Sequence, residues 1–316
     1  MSLPLTITGL HHVTAITGNA PANHAFYTKI LGLRLVKKTV NQDDVSAYHL
    51  FYADELGSPG TDLTFFDWPH ISPAIPGVGT ISEIGLRIAG GAESLEWWQN
   101  WFKDHSVTHG SIEPAGPFPT LRFTDPEGQK LRLIAENRTE TETEERPWRG
   151  SPAPAAAAIR GLGTAKLAVR RFEPTARILT EVLGFRQISE FVFETGAGGP
   201  GTQLNLEVLP NAPFGGNSGT GGVHHIAFRT PDAETHKLWL QRLTQFGIGT
   251  SGIIDRYYFQ ALYFREPGGI LFEISTDGPG FASDEDPEHL GEKLALPPFL
   301  EARRAQIEAG LAPLET

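Results

Sequence analysis

Short apolar runs of strand length, bounded by glycine, proline or aspartate, alternate along this chain with stretches whose apolar residues recur at helical spacing. From Ile7 to Trp68 the order is a strand (Leu10–Ile16), a helix (Pro21–Leu31) and three further strands (Leu33–Lys38, Ser46–Ala53 and Asp62–Asp67). Asn19 is placed to cap the helix and Gly32 to stop it. The plan then returns. Gly79 to about Asn137 holds a strand (Ile81–Ile88), an aromatic-striped helix (Ser94–Asp104) and, after the turn Asp125-Pro126-Glu127-Gly128, a last strand (Lys130–Ala135). A third unit begins at Gly161, with a helix over Glu173–Leu183 stopped at Gly184 and strands running on to Leu204–Leu209. A fourth begins at Gly222, with a helix over Asp232–Phe246 stopped at Gly247 and strands over Arg256–Phe264 and Ile270–Ser275.

Each unit reads β-α-β-β-β and is too small to enclose a core alone, so units must pair. The expected fold is α+β, four βαβββ modules paired into two halves. The segment Thr139–Ala158 joins an acidic run (Glu140 to Glu145) to an alanine–proline run and reads as a linker. It separates an N-terminal half (1–138) from a C-terminal half (159–277), followed by a tail (278–316) with one helix over about Pro298–Ala309 and Gly310 as its stop.

Composition narrows the function. No stretch of 18 consecutive apolar residues is present, which excludes a transmembrane helix, and the N-terminus carries no export signal. There is no cysteine, so disulfides, thiolate metal sites and cysteine nucleophiles are all excluded. Together these favour the cytoplasm. A net charge of −11 without a basic stripe argues against nucleic-acid binding and favours a role in solubility. Any metal chemistry must use His, Asp and Glu.

That chemistry has a candidate. Gly9-Leu10-His11-His12-Val13 opens the first module and Gly222-Val223-His224-His225-Ile226 the fourth. Some 50 residues after the second doublet, Glu273 stands inside Gly269-Ile270-Leu271-Phe272-Glu273-Ile274. A carboxylate buried in such a strand costs several kcal/mol unless it is paired. Two imidazoles and one carboxylate on rigid strands suit a divalent metal with open coordination positions, as in non-haem Fe(II) oxygenases. Adjacent strand residues face opposite sides, so each doublet should supply one ligand.

With these motifs, and with Asp255-Arg256-Tyr257-Tyr258-Phe259 running through Tyr263 to Glu273, the chain resembles the vicinal-oxygen-chelate superfamily of glyoxalase I, extradiol dioxygenases and antibiotic-resistance proteins. Within it the chain is similar to the ring-cleaving branch related to hydroquinone 1,2-dioxygenases. The resemblance implies His12, His225 and Glu273 as metal ligands. It also implies active-site roles for His11 and His224, as candidate acids or bases, and for Arg256 and Tyr263, lining the substrate pocket. Thr14, on the face of His12, is a further candidate for substrate binding. The implied cofactor is Fe(II), with Mn(II) or Zn(II) as stand-ins. The implied substrates are a hydroquinone or catechol-type aromatic and O₂. Homo-oligomerisation is left open.

Superposing the modules places Glu83 and Thr164 where His12 and His225 stand. It places Phe65, Arg132 and Leu206 where Glu273 stands, to within a one-residue slip. The middle modules should therefore hold an ion pair of Glu83 and Arg132. The absence of a fourth ligand separates the chain from typical glyoxalase-type enzymes. Two alternatives stay open: a metal-dependent isomerase or lyase of that type, and a non-enzymatic binder of aromatic molecules. His24, His49, His70, His105, His109, His236 and His289 have no partner in the repeat and are expected in surface or structural positions. Trp97, Trp98 and Trp101 are expected to pack their helix.

Overall fold

The computed structural model describes residues 5–115, 118–136, 146–216 and 219–314; the acidic run of the linker lies outside them. The first module comprises β1 (Leu10–Thr17), α1 (Ala20–Ala25), β2 (Arg34–Val40), β3 (Tyr48–Ala53) and β4 (Asp62–Asp67). The second comprises β5 (Thr80–Ile88), α2 (Ala92–Asp104), β6 (His109–Ala115), β7 (Phe118–Thr124) and β8 (Lys130–Ala135). The third has β9 (Ile159–Val169), α3 (Phe172–Arg177), β10 (Arg186–Gln187), β11 (Val192–Glu194) and β12 (Gln203–Val208). The fourth has β13 (Val223–Thr230), α4 (Ala233–Gln245), β14 (Thr250–Asp255), β15 (Gln260–Arg265) and β16 (Leu271–Thr276).

The modules pair into two eight-stranded sheets, ordered β14-β15-β16-β13-β1-β4-β3-β2 and β10-β11-β12-β9-β5-β8-β7-β6. The fold is α+β as expected. The pairing, however, crosses the linker: the first module joins the fourth through antiparallel β1 and β13, and the second joins the third through β5 and β9. Each sheet thus takes one module from either side of residues 139–158.

Local expectations hold where cap chemistry decides. Asn19 and Asp232 accept the N–H of Ala22 and Thr235 at the starts of α1 and α4. Gly32, Gly184 and Gly247 end their helices at φ of 70°, 77° and 69°, where a side chain would be strained. Trp98 is fully buried, and its indole N–H donates to the Ala157 carbonyl at 2.7 Å, tying the end of the linker to α2. Elsewhere the sequence pattern misleads. Helices α1 and α3 each continue into a π-type turn (Phe26–Ile30 and Ile178–Val182). The single tail helix is two short ones, α5 (Pro298–Glu301) and α6 (Arg304–Gly310), with Gly310 inside the second rather than stopping it. The strand expected over Arg256–Phe264 begins only at Gln260, and Arg256 lies in the turn after β14.

The first sheet curls so that its two edges meet. The loop after β2 reaches the turn between β14 and β15: Gln42 Nε2 donates to the Arg256 carbonyl at 2.8 Å, and Asp43 pairs with the Arg256 guanidinium at 2.7 and 3.1 Å. Below this contact the tail crosses the same gap. Lys37 on β2, fully buried, donates to Asp284 at 2.7 Å and to Glu285, and lies 4.7 Å from the centre of the Tyr258 ring. The face enclosed by this curl carries the candidate residues. Among the described residues no helix is long and apolar enough to cross a membrane.

Candidate metal centre

His12, His225 and Glu273 come from β1, β13 and β16, three adjacent strands at the middle of the first sheet. Their ligand atoms lie within 4.8 Å of one another, and all three residues are buried. His12 Nε2 and His225 Nε2 are 3.2 Å apart, and both face Glu273 Oε2, at 3.3 and 2.9 Å. The other carboxylate oxygen accepts from Ser275 Oγ at 2.6 Å, which fixes the rotation of the group.

Two bulges build the doublets. Leu10 is opposite Phe228 and His12 opposite Ala227, so His11 is an extra residue in β1. Thr14 is opposite His225 and Ala15 opposite Val223, so His224 is the extra residue in β13. Regular alternation would send adjacent rings to opposite faces. The bulges instead turn each first histidine onto its neighbour: His11 Nδ1 and His12 Nδ1 are 2.8 Å apart, as are His224 Nδ1 and His225 Nδ1. Only the second histidine of each doublet reaches the cluster.

The first contact sets a tautomer. His11 Nε2 lies 3.1 Å from the Thr276 carbonyl, which can only accept, so that nitrogen carries the proton. In neutral His11, Nδ1 is then the acceptor and His12 Nδ1–H the donor, leaving a bare lone pair on His12 Nε2. Burial holds His11 well below the usual imidazole range and lowers His225. It brings His224 down to about 3, with His225 adding to the effect. Burial alone would raise the Glu273 carboxyl, yet the facing imidazoles of His12 and His225 hold it well below the carboxylate norm. Imidazole lone pairs and an ionised carboxylate oxygen converging in a buried space are the donor set a divalent cation requires. Among the described residues, Glu273 Oε2 is buried with only these two imidazole nitrogens facing it.

Around this cluster lies a cavity of about 40 Å³, lined among others by Val40, His49, Phe51, Phe66, Phe259 and Tyr263. A groove of about 1000 Å³ by Arg146, Trp148 and Arg160 is far larger, but the metal-capable cluster does not line it. Tyr263 is directly opposite Glu273 in the sheet and packs edge-on to His225, with ring centres 5.6 Å apart. Burial, with Glu273 adding to it, raises its hydroxyl, so Tyr263 stays an O–H donor. The Arg256 guanidinium lies 5.6 Å from the centre of the Tyr263 ring. On one regular strand Arg256 and Tyr263 would face opposite sides; Arg256 instead lies in the turn after β14, and both line the cavity. Thr14 is fully buried and does not line the cavity. Its hydroxyl meets that of Thr64 at 2.8 Å.

The register also corrects the module superposition. Glu273 pairs with Ala227, two residues after His225. By the same rule the equivalent in the first module is Thr64, paired with Thr14, not Phe65; in the third it is Asn205, paired with Lys166, not Leu206. Arg132, paired with Gly85, was placed correctly. In the second sheet Glu83 contacts Arg132 at 3.2 Å, Arg122 at 3.0 Å and Lys166 at 3.7 Å, the expected ion-pair cluster.

His49 is the residue that sequence reasoning missed. It lies on β3, lines the cavity, and bonds through Nε2 to Thr64 Oγ1 at 3.0 Å. The available signal was a polar residue within Tyr48-His49-Leu50-Phe51-Tyr52, an otherwise apolar and aromatic strand.

This fold agrees with what comparison finds. The family model of the Glyoxalase/Bleomycin resistance protein/Dioxygenase superfamily matches residues 9–137 and 161–274. "Putative ring-cleaving dioxygenase MhqA" of Bacillus subtilis is 46% identical over 98% of this chain and 100% of its own. The chlorohydroquinone/hydroquinone 1,2-dioxygenase of Sphingobium indicum is 31% identical over 97% of each chain. A crystal structure from Bacillus subtilis, 37% identical, superposes with a TM-score of 0.90 over 99% of both chains. The chain belongs to that superfamily, among its ring-cleaving dioxygenases.

Proposed function

We propose that the chain is a non-haem Fe(II)-dependent dioxygenase that opens the ring of a hydroquinone or catechol-type aromatic with both atoms of O₂. The observation that carries this reading is the convergence of His12 Nε2, His225 Nε2 and Glu273 Oε2 in a buried cluster beside an aromatic-lined cavity. These three residues would hold the metal. When bound, it supplies Lewis acidity to a phenolic oxygen and open positions at which the ring and O₂ come together. Thr64, standing where a fourth ligand would have to sit, offers only a hydroxyl engaged with Thr14 and His49. This supports an oxygenase over a four-ligand isomerase.

The surrounding residues orient and protonate. His11 has both nitrogens engaged, so it positions His12 rather than exchanging protons with substrate. His224 meets His225 through Nδ1 and lines a surface recess with Trp68 and His70, which suits the movement of a proton in or out. Tyr263 donates a hydrogen bond to an oxygen of the bound ring, and Arg256 stabilises negative charge there. A cavity of about 40 Å³ holds only a few waters, far below the volume of ordinary ligand sites. Entry of an aromatic ring therefore requires the Asp43–Arg256 contact to part.

His11→Ala is expected to weaken metal affinity about 10–100-fold in a competitive chelator titration, with the fold retained, because His12 loses the partner that fixes its tautomer. Unchanged affinity would show that the doublet contact is incidental. The reading as a whole is tested by anaerobic Fe(II) reconstitution followed by oxygen-electrode assays on para- and ortho-diols. Metal-dependent O₂ uptake is expected. Conversion of substrate without O₂ would replace the oxygenase with the isomerase.

A further inference from the structure

We infer that His49 is the specificity-determining anchor for the second hydroxyl of a para-diol, the one that does not reach the metal. The inference rests on the diol reading above and deepens it. An ortho-diol can place both oxygens on one ion. A para-diol can place only one, and its far hydroxyl is left in the aromatic half of the cavity. Around His49 the lining is formed by Phe51 and Phe66, and burying an unpaired hydroxyl against them is unfavourable.

His49 is the polar side chain that packs against both of these rings. Its ring centre is 3.9 Å from that of Phe51 and 4.4 Å from that of Phe66, and Nε2 is tied to Thr64 Oγ1, itself tied to Thr14. The imidazole is therefore fixed in orientation. Among the described residues no hydrogen-bond partner meets its Nδ1. Burial holds the ring well below the usual imidazole range, so it meets the ligand uncharged. Thr64 occupies the place in the first module that Glu273 occupies in the fourth. The position that would carry another metal ligand instead carries the hydroxyl that holds a substrate anchor.

The test is anaerobic calorimetric binding of 1,4-dihydroxybenzene, 1,2-dihydroxybenzene and phenol to the Fe(II)-loaded full chain. His49→Phe keeps the aromatic stack, and His49→Gln keeps a hydrogen-bonding group. With H49F, affinity for the para-diol is expected to fall about 10-fold, to the level of phenol, while the ortho-diol changes less than about twofold. H49Q is expected to restore most of the loss, with iron content equal in all three proteins. If H49F leaves the para-diol affinity unchanged, or weakens both diols alike, the anchor is wrong. Should H49F fail to fold, equal binding of phenol and the para-diol by wild type would overturn it equally well. Failure of the dioxygenase reading looks different: the diols would bind in the expected ratio and consume no O₂.

Discussion

Glu273→Ala is expected to leave the protein without stoichiometric metal and to lower ring-cleaving activity by at least about 1000-fold. Glu273 is the one anionic member of the cluster, and it is completely buried. Two neutral imidazoles without it offer no charge to offset the dehydration of a divalent cation. The apo protein should respond more weakly. There the ionised carboxylate is held by Ser275 and by the facing imidazoles of His12 and His225, so the apo variant should melt no higher than the apo wild type. Adding Fe(II) at about 100 times its Kd should then stabilise wild type by roughly 2.7 kcal/mol and the variant not at all. Elemental analysis and thermal melts with and without metal check both halves. A Glu273→Ala protein that retains its iron would remove Glu273 from the site.

The second large effect concerns the enclosure of the site. Lys37→Met is expected to destabilise the protein by about 2–3 kcal/mol, lowering Tm by roughly 5 °C. Lys37 is wholly buried and neutralises Asp284 and Glu285, whose side chains remain 18% and 13% exposed. Removing the cation leaves two adjacent carboxylates facing an apolar side chain and ends the contact with the Tyr258 ring. Partial exposure of the acids keeps the loss below that for a fully buried pair. Because Asp284 also accepts the Tyr258 hydroxyl at 2.9 Å, the tail should loosen first, and limited proteolysis should cut near residues 281–290 before the sheets open. An unchanged melting temperature would mean that the tail is held by its apolar contacts alone, through Phe281 and Leu290.

The residues that carry the chemistry were legible because each violates its local pattern. Two histidine doublets open apolar strands at equivalent repeat positions, and a glutamate interrupts Ile270-Leu271-Phe272-Glu273-Ile274. The module repeat also revealed the α+β fold, and the doublets assigned the cluster to the first and fourth modules, but the pairing of whole modules across the linker was not read. Register was not legible. A β-bulge leaves no mark in hydrophobic periodicity, so the contacts of His11 with His12 and of His224 with His225 emerged only in three dimensions. The same one-residue uncertainty placed Phe65 and Leu206 where Thr64 and Asn205 belong. Strand β6 was missed because His109-Gly110-Ser111-Ile112-Glu113-Pro114-Ala115 is an edge strand, where proline, glycine and charge are tolerated; β7, between β6 and β8, was missed with it. His49 was passed over because its role depends on Thr64 and on walls from the first and fourth modules, not on a motif of its own.

The central claim is that the two ends of the chain build one metal centre that delivers both oxygen atoms to one ring. Its most direct test is turnover of a para- or ortho-diol by the Fe(II)-reconstituted protein under ¹⁸O₂, with mass spectrometry of the ring-opened product. Both label atoms are expected in a single product molecule, and none in samples of Glu273→Ala treated identically. A product carrying no label, or formed equally well without O₂, would contradict the account.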